Sequence, residues 1–493
     1  MIDVRTRRPL VLVSVAAAMF MIAVEATIVS TAMPQIVTRL GGLDLYSWVF
    51  AAFLLTQTAM TVVFGKLSDL IGRKKVMLGG IAVFLVGSLL CGFAWSMPSM
   101  IAFRLIQGVG AGGVQPMAMT IVGDLYPPRE RGKIQGYLAS IWAVSAVLGP
   151  LAGGLIVAHF SWSWVFWMNL PVGVLAAIGF MRYLHEDVAK GGAGIDHVGA
   201  GLFILAIAAL MADLTAAATA TRGEIMALSL ATAVAVALFF WRDAKTPEPM
   251  ISLKLWGQRP IAAANAAALF SGMVMTGLTT FLPIYVQGVM GGSALAGGFA
   301  LSVMVLGWPI GATLSSKLAI RIGLRPVMLL SGVLIPAGAL VFALLRPSTP
   351  IAFAGLGSLV FGFGMGLLSV ASLMMIQEIV SWSERGAVTS SMLFARSLGN
   401  TFGATAFGAV LNFWLASTGV AGIASPERLR DLLGGGDDSG PVQVLQRALE
   451  GALHATFLAM LVFAVLTGLV VLLTPNVSLS RRGEAVAAPT QAE

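Results

Sequence analysis

Charge, cysteine and histidine are all scarce in this chain. Of 493 residues, 11% are charged, one is cysteine and four are histidine. Ordinary soluble domains are about 25% charged, and a soluble protein of this length needs such polar surface to cover its cores. The shortage excludes a soluble enzyme, a disordered chain and a secreted disulfide scaffold. Cys91 has no second cysteine to bridge to. Histidines this few and scattered supply no structural metal cluster. A Walker A loop, an HExxH helix and a plausible Ser-His-Asp set are also missing. The glycine-rich segment 108–113 sits inside an apolar run and follows no strand, so it is not a dinucleotide motif. Neither an enzyme nor a cofactor is expected. Without a nucleotide site, an ion gradient is left as the energy source.

What the chain has is apolar length. Hydrophobic residues make up 58% of it, and a helix needs about 20 of them in a row to cross a bilayer. Fourteen stretches qualify, at 10–30, 46–64, 76–95, 98–122, 135–158, 162–183, 198–218, 224–241, 261–287, 294–316, 327–345, 350–375, 388–415 and 453–473. The runs are continuous, with no period-2 alternation, which reads as helices and not barrel strands. The first run follows Arg5, Arg7 and Arg8, as a signal peptide would, but it is too long and carries Glu25. We keep it as a span.

Basic residues give the orientation. Arg39, Arg222, Arg346, Arg428, Arg430 and Arg447 fall in loops opposite Met1, and Arg104 and Arg396 fall within spans. The remaining 22 of the 30 Lys and Arg share a side with Met1. Both termini are therefore expected in the cytoplasm. The net charge of +8 then faces anionic lipid and not nucleic acid.

The sequence repeats itself. Gly65-Lys66-Leu67-Ser68-Asp69-Leu70-Ile71-Gly72-Arg73-Lys74 returns as Ser316 to Arg325 at an offset of 251. Glu130-Arg131-Gly132 returns as Glu384-Arg385-Gly386 at 254, where Asp124 falls on Glu378. Duplicated halves imply an all-α membrane fold of two six-helix bundles, 1–185 and 261–476, around a two-helix insert, 186–260. A loop at 416–452 should carry short amphipathic helices on the outer surface, beginning near Ser425-Pro426-Glu427. Residues 477–493 read as a disordered cytoplasmic tail.

Charges inside the spans are costly and mark function. Glu25 lies roughly 22 Å along the first span, at 1.5 Å per residue. Arg104 lies at a similar depth in the fourth. If their separation changes with conformation, so does the proton affinity of Glu25, which couples protons to a switch. The alternative is a static ion pair that fixes packing. Asp124 is a further candidate for proton coupling. Gly65, Asp69, Gly72 and Arg73 form a candidate switch loop, in which the acid bonds a neighbour in one conformation and releases it in the other. Gly149, Pro150, Gly153 and Gly154 suggest a tightly packed, kinked hinge. Gln57, Gln107, Trp142, Met275, Phe281, Phe394 and Arg396 are candidate cavity residues. Arg396 either faces the cavity or neutralises an acid such as Glu378. Asp213 reads as a packing group within the insert.

Together these segments resemble the 14-span drug:proton antiporter family of the major facilitator superfamily. Gly65 to Lys74 is similar to its loop signature, Arg104 to Gly112 to its span 4 signature, and Leu148 to Gly154 to its antiporter signature. Trp162-Ser163-Trp164-Val165-Phe166-Trp167-Met168-Asn169-Leu170-Pro171, Asp196-His197-Val198-Gly199 and Pro283-Ile284-Tyr285-Val286-Gln287 add to the likeness. The resemblance implies two six-helix bundles, a central cavity and proton-driven export of lipophilic small molecules; a monomer in the inner membrane is expected. It also implies that a span 1 acid couples the proton. Glu25 stands where that family usually has Asp. Export of an endogenous metabolite or lipid is the alternative within transport, and a membrane sensor or enzyme the alternative outside it.

Overall fold

The computed structural model describes residues 6–41, 45–186, 197–216, 222–246, 253–417 and 440–477. They are helical throughout, with no β-strand among the described residues. In lipid every backbone N–H and C=O must be satisfied within its own segment, and a helix does that. The helices are α1 (Arg8–Leu40), α2 (Tyr46–Ile71), α3 (Arg73–Gly92), α4 (Met97–Leu125), α5 (Pro128–His159), α6 (Trp164–Trp167) and α7 (Asn169–Tyr183). Then come α8 (His197–Ala216), α9 (Arg222–Asp243) and α10 (Leu253–Trp256). The last are α11 (Arg259–Gly288), α12 (Ala294–Ile322), α13 (Leu324–Ala343), α14 (Ile351–Ile379), α15 (Arg385–Ser417) and α16 (Gly440–Leu472).

Among the described residues, eleven helices are long and apolar enough to cross a membrane, against the fourteen stretches read from the sequence. The shortfall has a physical pattern. The apolar part of α8, Val198–Leu210, is short. The helices α5 and α15, of 32 and 33 residues, are long enough but do not meet the apolar measure. Each sets glycines against the opposite half: Gly132 and Gly136 of α5 meet Ser316 and Thr313 of α12, and Gly386 of α15 meets Ser68 of α2.

The repeat is visible in the backbone. Gly72 has φ 98° and separates α2 from α3; Gly323 has φ 90° and separates α12 from α13. They lie 251 residues apart, as the sequence offset requires. Glycine is the residue for which this left-handed conformation carries no steric penalty. The apolar cores divide in the same way. Residues from Ile261 to Val471 make one cluster, and those from Val11 to Leu184 make two. A fourth cluster joins Phe203 of α8 and Phe239 of α9 to Ala59 and Val62 of α2 and Phe394 of α15. The inserted pair thus docks over the line where α2 meets α15. Asp213 links the pair internally by accepting a hydrogen bond from Ser229 at 2.9 Å.

The expected external loop is reduced. The segment 440–452 opens the continuous helix α16, and Ala448, Leu449 and Leu453 are buried in the second core. Ser425-Pro426-Glu427 and the tail from 478 lie outside the described residues.

Candidate functional site

The first cluster assembles within the first half. Glu25 of α1 is fully buried, and Arg104 of α4 is 2% exposed. Arg104 Nη1 donates to Glu25 Oε1 in a short ion pair. The same nitrogen donates to Gln107 Oε1 at 2.6 Å, and Nε donates to the Val49 carbonyl of α2 at 3.1 Å. Asn169 of α7 donates to Glu25 Oε2 at 2.7 Å. Gln107 Nε2 donates to Ser88 Oγ of α3 at 2.6 Å. The guanidinium also lies over the Phe53 ring, 4.3 Å from its centroid. Five helices therefore meet at one carboxylate–guanidinium pair, and each side of the pair has further hydrogen bonds.

Small residues allow this convergence. A Cβ on Gly108 would sit 2.1 Å from Thr56 Oγ1 of α2, and one on Gly110 would sit 2.2 Å from the Phe84 backbone nitrogen of α3. The Gly108 to Gly112 stretch is thus the packing surface by which α4 meets both neighbours. Gly149 does the same for α5. Its Cβ would fall 2.0 Å from Thr27 Oγ1, two residues from Glu25 on α1. Thr27 in turn donates to the Ser145 carbonyl at 3.1 Å. Pro150 lies within α5, which continues unbroken through it to His159. Gly153 is buried. Gly154 is exposed with open space around its Cβ position, so it plays no part in packing this pair of helices.

The second cluster ties the halves together at the end that carries the N-terminus. Asp69 of α2 accepts from the Gly386 and Ala387 backbone N–H groups at 3.1 and 2.8 Å, and so caps the start of α15. Arg73 Nη2 reaches Asp69 at 3.1 Å and the Trp382 carbonyl at 2.6 Å, with its guanidinium stacked 3.6 Å from the Trp382 ring. Arg385 donates to Asp124 at 3.0 Å and to the Gln377 carbonyl at 3.1 Å. Its repeat counterpart, Arg131, bonds the Tyr126 and Gly123 carbonyls. Gly65 lets α2 touch α15, since its Cβ would lie 2.1 Å from Ser390 Oγ.

Asp124 therefore belongs to this second cluster and not beside Glu25. It lies 20 residues beyond Arg104 on α4, about 30 Å along the helix. The candidate cavity residues also separate. Gln107 joins the Glu25 cluster. Trp142 packs against the first core, and Phe281 and Met275 belong to the second. Phe394 meets the insert, 5.4 Å from the Phe203 ring centroid. Gln57 is half-buried on α2, where its carbonyl accepts from Thr61. Arg396 lines a cavity between α11, α14 and α15. Asn169 and Ser88 were not singled out from the sequence as site residues. Asn169 left a signal, an amide inside an apolar run, whereas a serine among leucines left none.

The profile of the Major Facilitator Superfamily matches residues 15–404. The chain is 36% identical to multidrug transporter protein MdtP of Bacillus subtilis (strain 168) over 412 residues, 83% of this chain and 76% of that one. It is 37% identical to multidrug resistance protein 3 of the same organism over 397 residues, 79% and 77% of the two chains. The crystal structure of the human organic anion transporter MFSD10 superposes with a TM-score of 0.64 at 16% identity, covering 94% of this chain and 99% of that one. At that identity the likeness shows the fold alone.

Proposed function

Because the chain belongs to the major facilitator superfamily, a family of multi-pass membrane transporters and not of enzymes, we propose that it is a 14-span proton-coupled antiporter. It exports lipophilic drugs or similar amphiphiles across the inner membrane, with both termini in the cytoplasm. The observation that carries this reading is the buried Glu25–Arg104 pair. The carboxylate and the guanidinium neutralise each other where water does not. A proton arriving on Glu25 cancels its charge and releases Arg104. Arg104 then sits in a low-dielectric site without its counter-ion, which is costly. The helices α1 and α4 are thereby pushed toward an arrangement in which Arg104 finds another partner or water. Loss of the proton restores the pair. Such a pair supplies the differential interaction that any population shift requires.

The names of the two Bacillus relatives support drugs as cargo. The test uses the purified full-length chain in liposomes with an imposed pH gradient, a lipophilic dye such as ethidium, and an internal pH indicator. Dye flux accompanied by dye-dependent proton movement, both lost with an uncoupler, is the expected result. Dye flux without proton movement would sink antiport, and absence of flux for every lipophilic dye would sink drug export.

A further inference from the structure

The second half holds a cation that the proton-coupling reading leaves unused. Arg396 lies on α15, 11 residues beyond Arg385 and about 16 Å along the helix from it at 1.5 Å per residue, within the apolar stretch 388–415. Arg104 at its own depth has Glu25. Arg396 has no hydrogen bond, ion pair or ring contact from its guanidinium among the described residues. An unpaired charge inside a membrane is expensive, and such groups face a water-filled path or a substrate.

Its surroundings are built for a ligand. Arg396 lines a cavity of about 20 Å³ together with Ser372, Met365, Leu368 and Met392. Ser372 is 2% exposed, and its Oγ has no hydrogen-bond partner in the described structure. Buried hydroxyls are nearly always satisfied, so an orphan calls for an explanation. Gly272 brings α11 close against α15: a Cβ there would fall 2.6 Å from the Arg396 carbonyl, 3.1 Å from Asn400 Oδ1 and 3.3 Å from Arg396 Cγ. The guanidinium has donors alone, and the free Ser372 hydroxyl can donate as well. Asn400 Oδ1, an unpartnered neutral acceptor, lies on the same helix near Arg396 but bonds neither donor, so a negatively charged acceptor in the cavity would match both. Of the other walls, Ala268, Met365, Leu368 and Met392 are apolar, and Ser271 and Ser369 donate their hydroxyls to the Ala268 and Gly366 carbonyls. The cavity admits one water-sized group, and unbranched Met365 and Met392 repack readily as more enters.

We propose that Arg396 and Ser372 form the subsite for the anionic group of an amphiphilic substrate, whose apolar body lies against Met365, Leu368 and Met392. This rests on the reading of the chain as an exporter of amphiphiles and narrows it: the preferred cargo carries a carboxylate, sulfonate or like group. The substrate neutralises a charge that the protein itself leaves open. The geometry suits a carboxylate or sulfonate, since a guanidinium fork donates to two oxygens at once.

The test is equilibrium binding to the solubilised full-length chain, with no gradient present. The probes are a matched dansyl series on one six-carbon linker, ending in carboxylate, neutral amide or ammonium. Binding is read from dansyl emission excited through the protein's tryptophans. The carboxylate should bind about tenfold tighter than the other two, the ratio that one retained charge-assisted pair supplies. Arg396→Gln should bring all three within about twofold, while Arg396→Lys keeps part of the preference, since it retains charge but not the fork. Arg396→Gln should also hold or raise the thermal midpoint, because it removes an uncompensated charge.

Equal binding of the three probes by the parent overturns the subsite, as does failure to bind the carboxylate. An anion preference that survives Arg396→Gln overturns it too. A lowered midpoint in Arg396→Gln would instead mark a structural ion pair, and overturns it equally. If the chain is not driven by protons, the liposome experiment fails and this one does not; if the subsite is wrong, the reverse holds.

Discussion

In the proposed mechanism Glu25 has two duties that a double substitution separates: as half of a buried ion pair it holds Arg104 in place, and as a titrating group it takes up the coupled proton. Glu25→Gln keeps the side-chain size but leaves Arg104 buried without its counter-ion. Breaking such a pair costs about 3–5 kcal/mol, so the thermal midpoint should fall. Proton-driven efflux should be lost entirely. The double variant Glu25→Gln, Arg104→Gln removes both charges and should recover most of the midpoint without recovering drive. Glu25→Asp, one methylene shorter, should keep part of both. These outcomes are read from thermal unfolding beside the liposome assay. Full drive in Glu25→Gln would leave the pair a static brace. The pair itself was legible in the sequence, because a charge in an apolar run has little company and a high cost. Its helpers were less so. Amides and hydroxyls sit cheaply in membrane helices, and nothing in local spacing says that Ser88 meets Gln107 or that Asn169 meets Glu25. Phe394 shows a related blindness: periodicity gives a face, not the neighbour on it, and that neighbour is the insert.

Between elements, the contact that matters most is α2 against the start of α15. Four N–H groups open every helix without an internal partner, and Asp69 accepts two of those of α15 from the other half of the molecule. The repeat copy has Ile320 at this place, so the charged latch is on one side of the molecule. On the other side α12 meets α5 through small groups, with a Gly132 Cβ position 2.0 Å from Ser316 Oγ. Asp69→Asn replaces two charge-assisted bonds by weaker ones, a loss of about 1.5–3 kcal/mol. That shifts a two-state equilibrium by roughly ten- to a hundredfold toward the open latch. If the halves move as rigid bodies, the α5–α12 side opens with it. A cysteine placed at Ser316, buried in this structure, should then react with a soluble maleimide at least about tenfold faster in Asp69→Asn. Transport should slow while expression holds. Unchanged labelling would leave Asp69 a static cap on α15. Gly72 made its turn readable in advance, whereas Gly65 and Asp69, expected in the same loop, lie within α2 because the helix runs on to Ile71. The start of α16 was not readable, because an amphipathic stretch before an apolar one looks the same whether it lies on the membrane or continues the helix.

At the scale of the whole chain, the halves are joined at the N-terminal end by charged contacts and close glycine packing, and the insert spans the same seam. Phe203 touches Phe394 of the second half, while the cluster it belongs to includes Ala59 and Val62 of the first. Alternating access requires this end to part in each cycle, with the insert travelling with one half or sliding over the other. Length, apolar runs and the repeat offsets led to an expectation of two bundles with a pair between them, but where α8 and α9 dock depended on long-range packing that no local pattern encodes. A covalent tie tests the motion directly. Cys91 is the single cysteine and is buried, so Cys91→Ser gives a background free of thiols. The Cβ position of Gly386 lies 2.3 Å from Ser68 Oγ, close enough for cysteines at 68 and 386 to meet the Cβ separation of about 3.5–4.5 Å that a disulfide needs. Oxidation of the Ser68→Cys, Gly386→Cys pair should lock this end shut and stop turnover, and dithiothreitol should restore it. The carboxylate dansyl probe should still bind from the opposite side if Arg396 is reached there. Undiminished transport by fully oxidised protein would mean that the seam never opens, and that substrate crosses by a path the two halves do not gate.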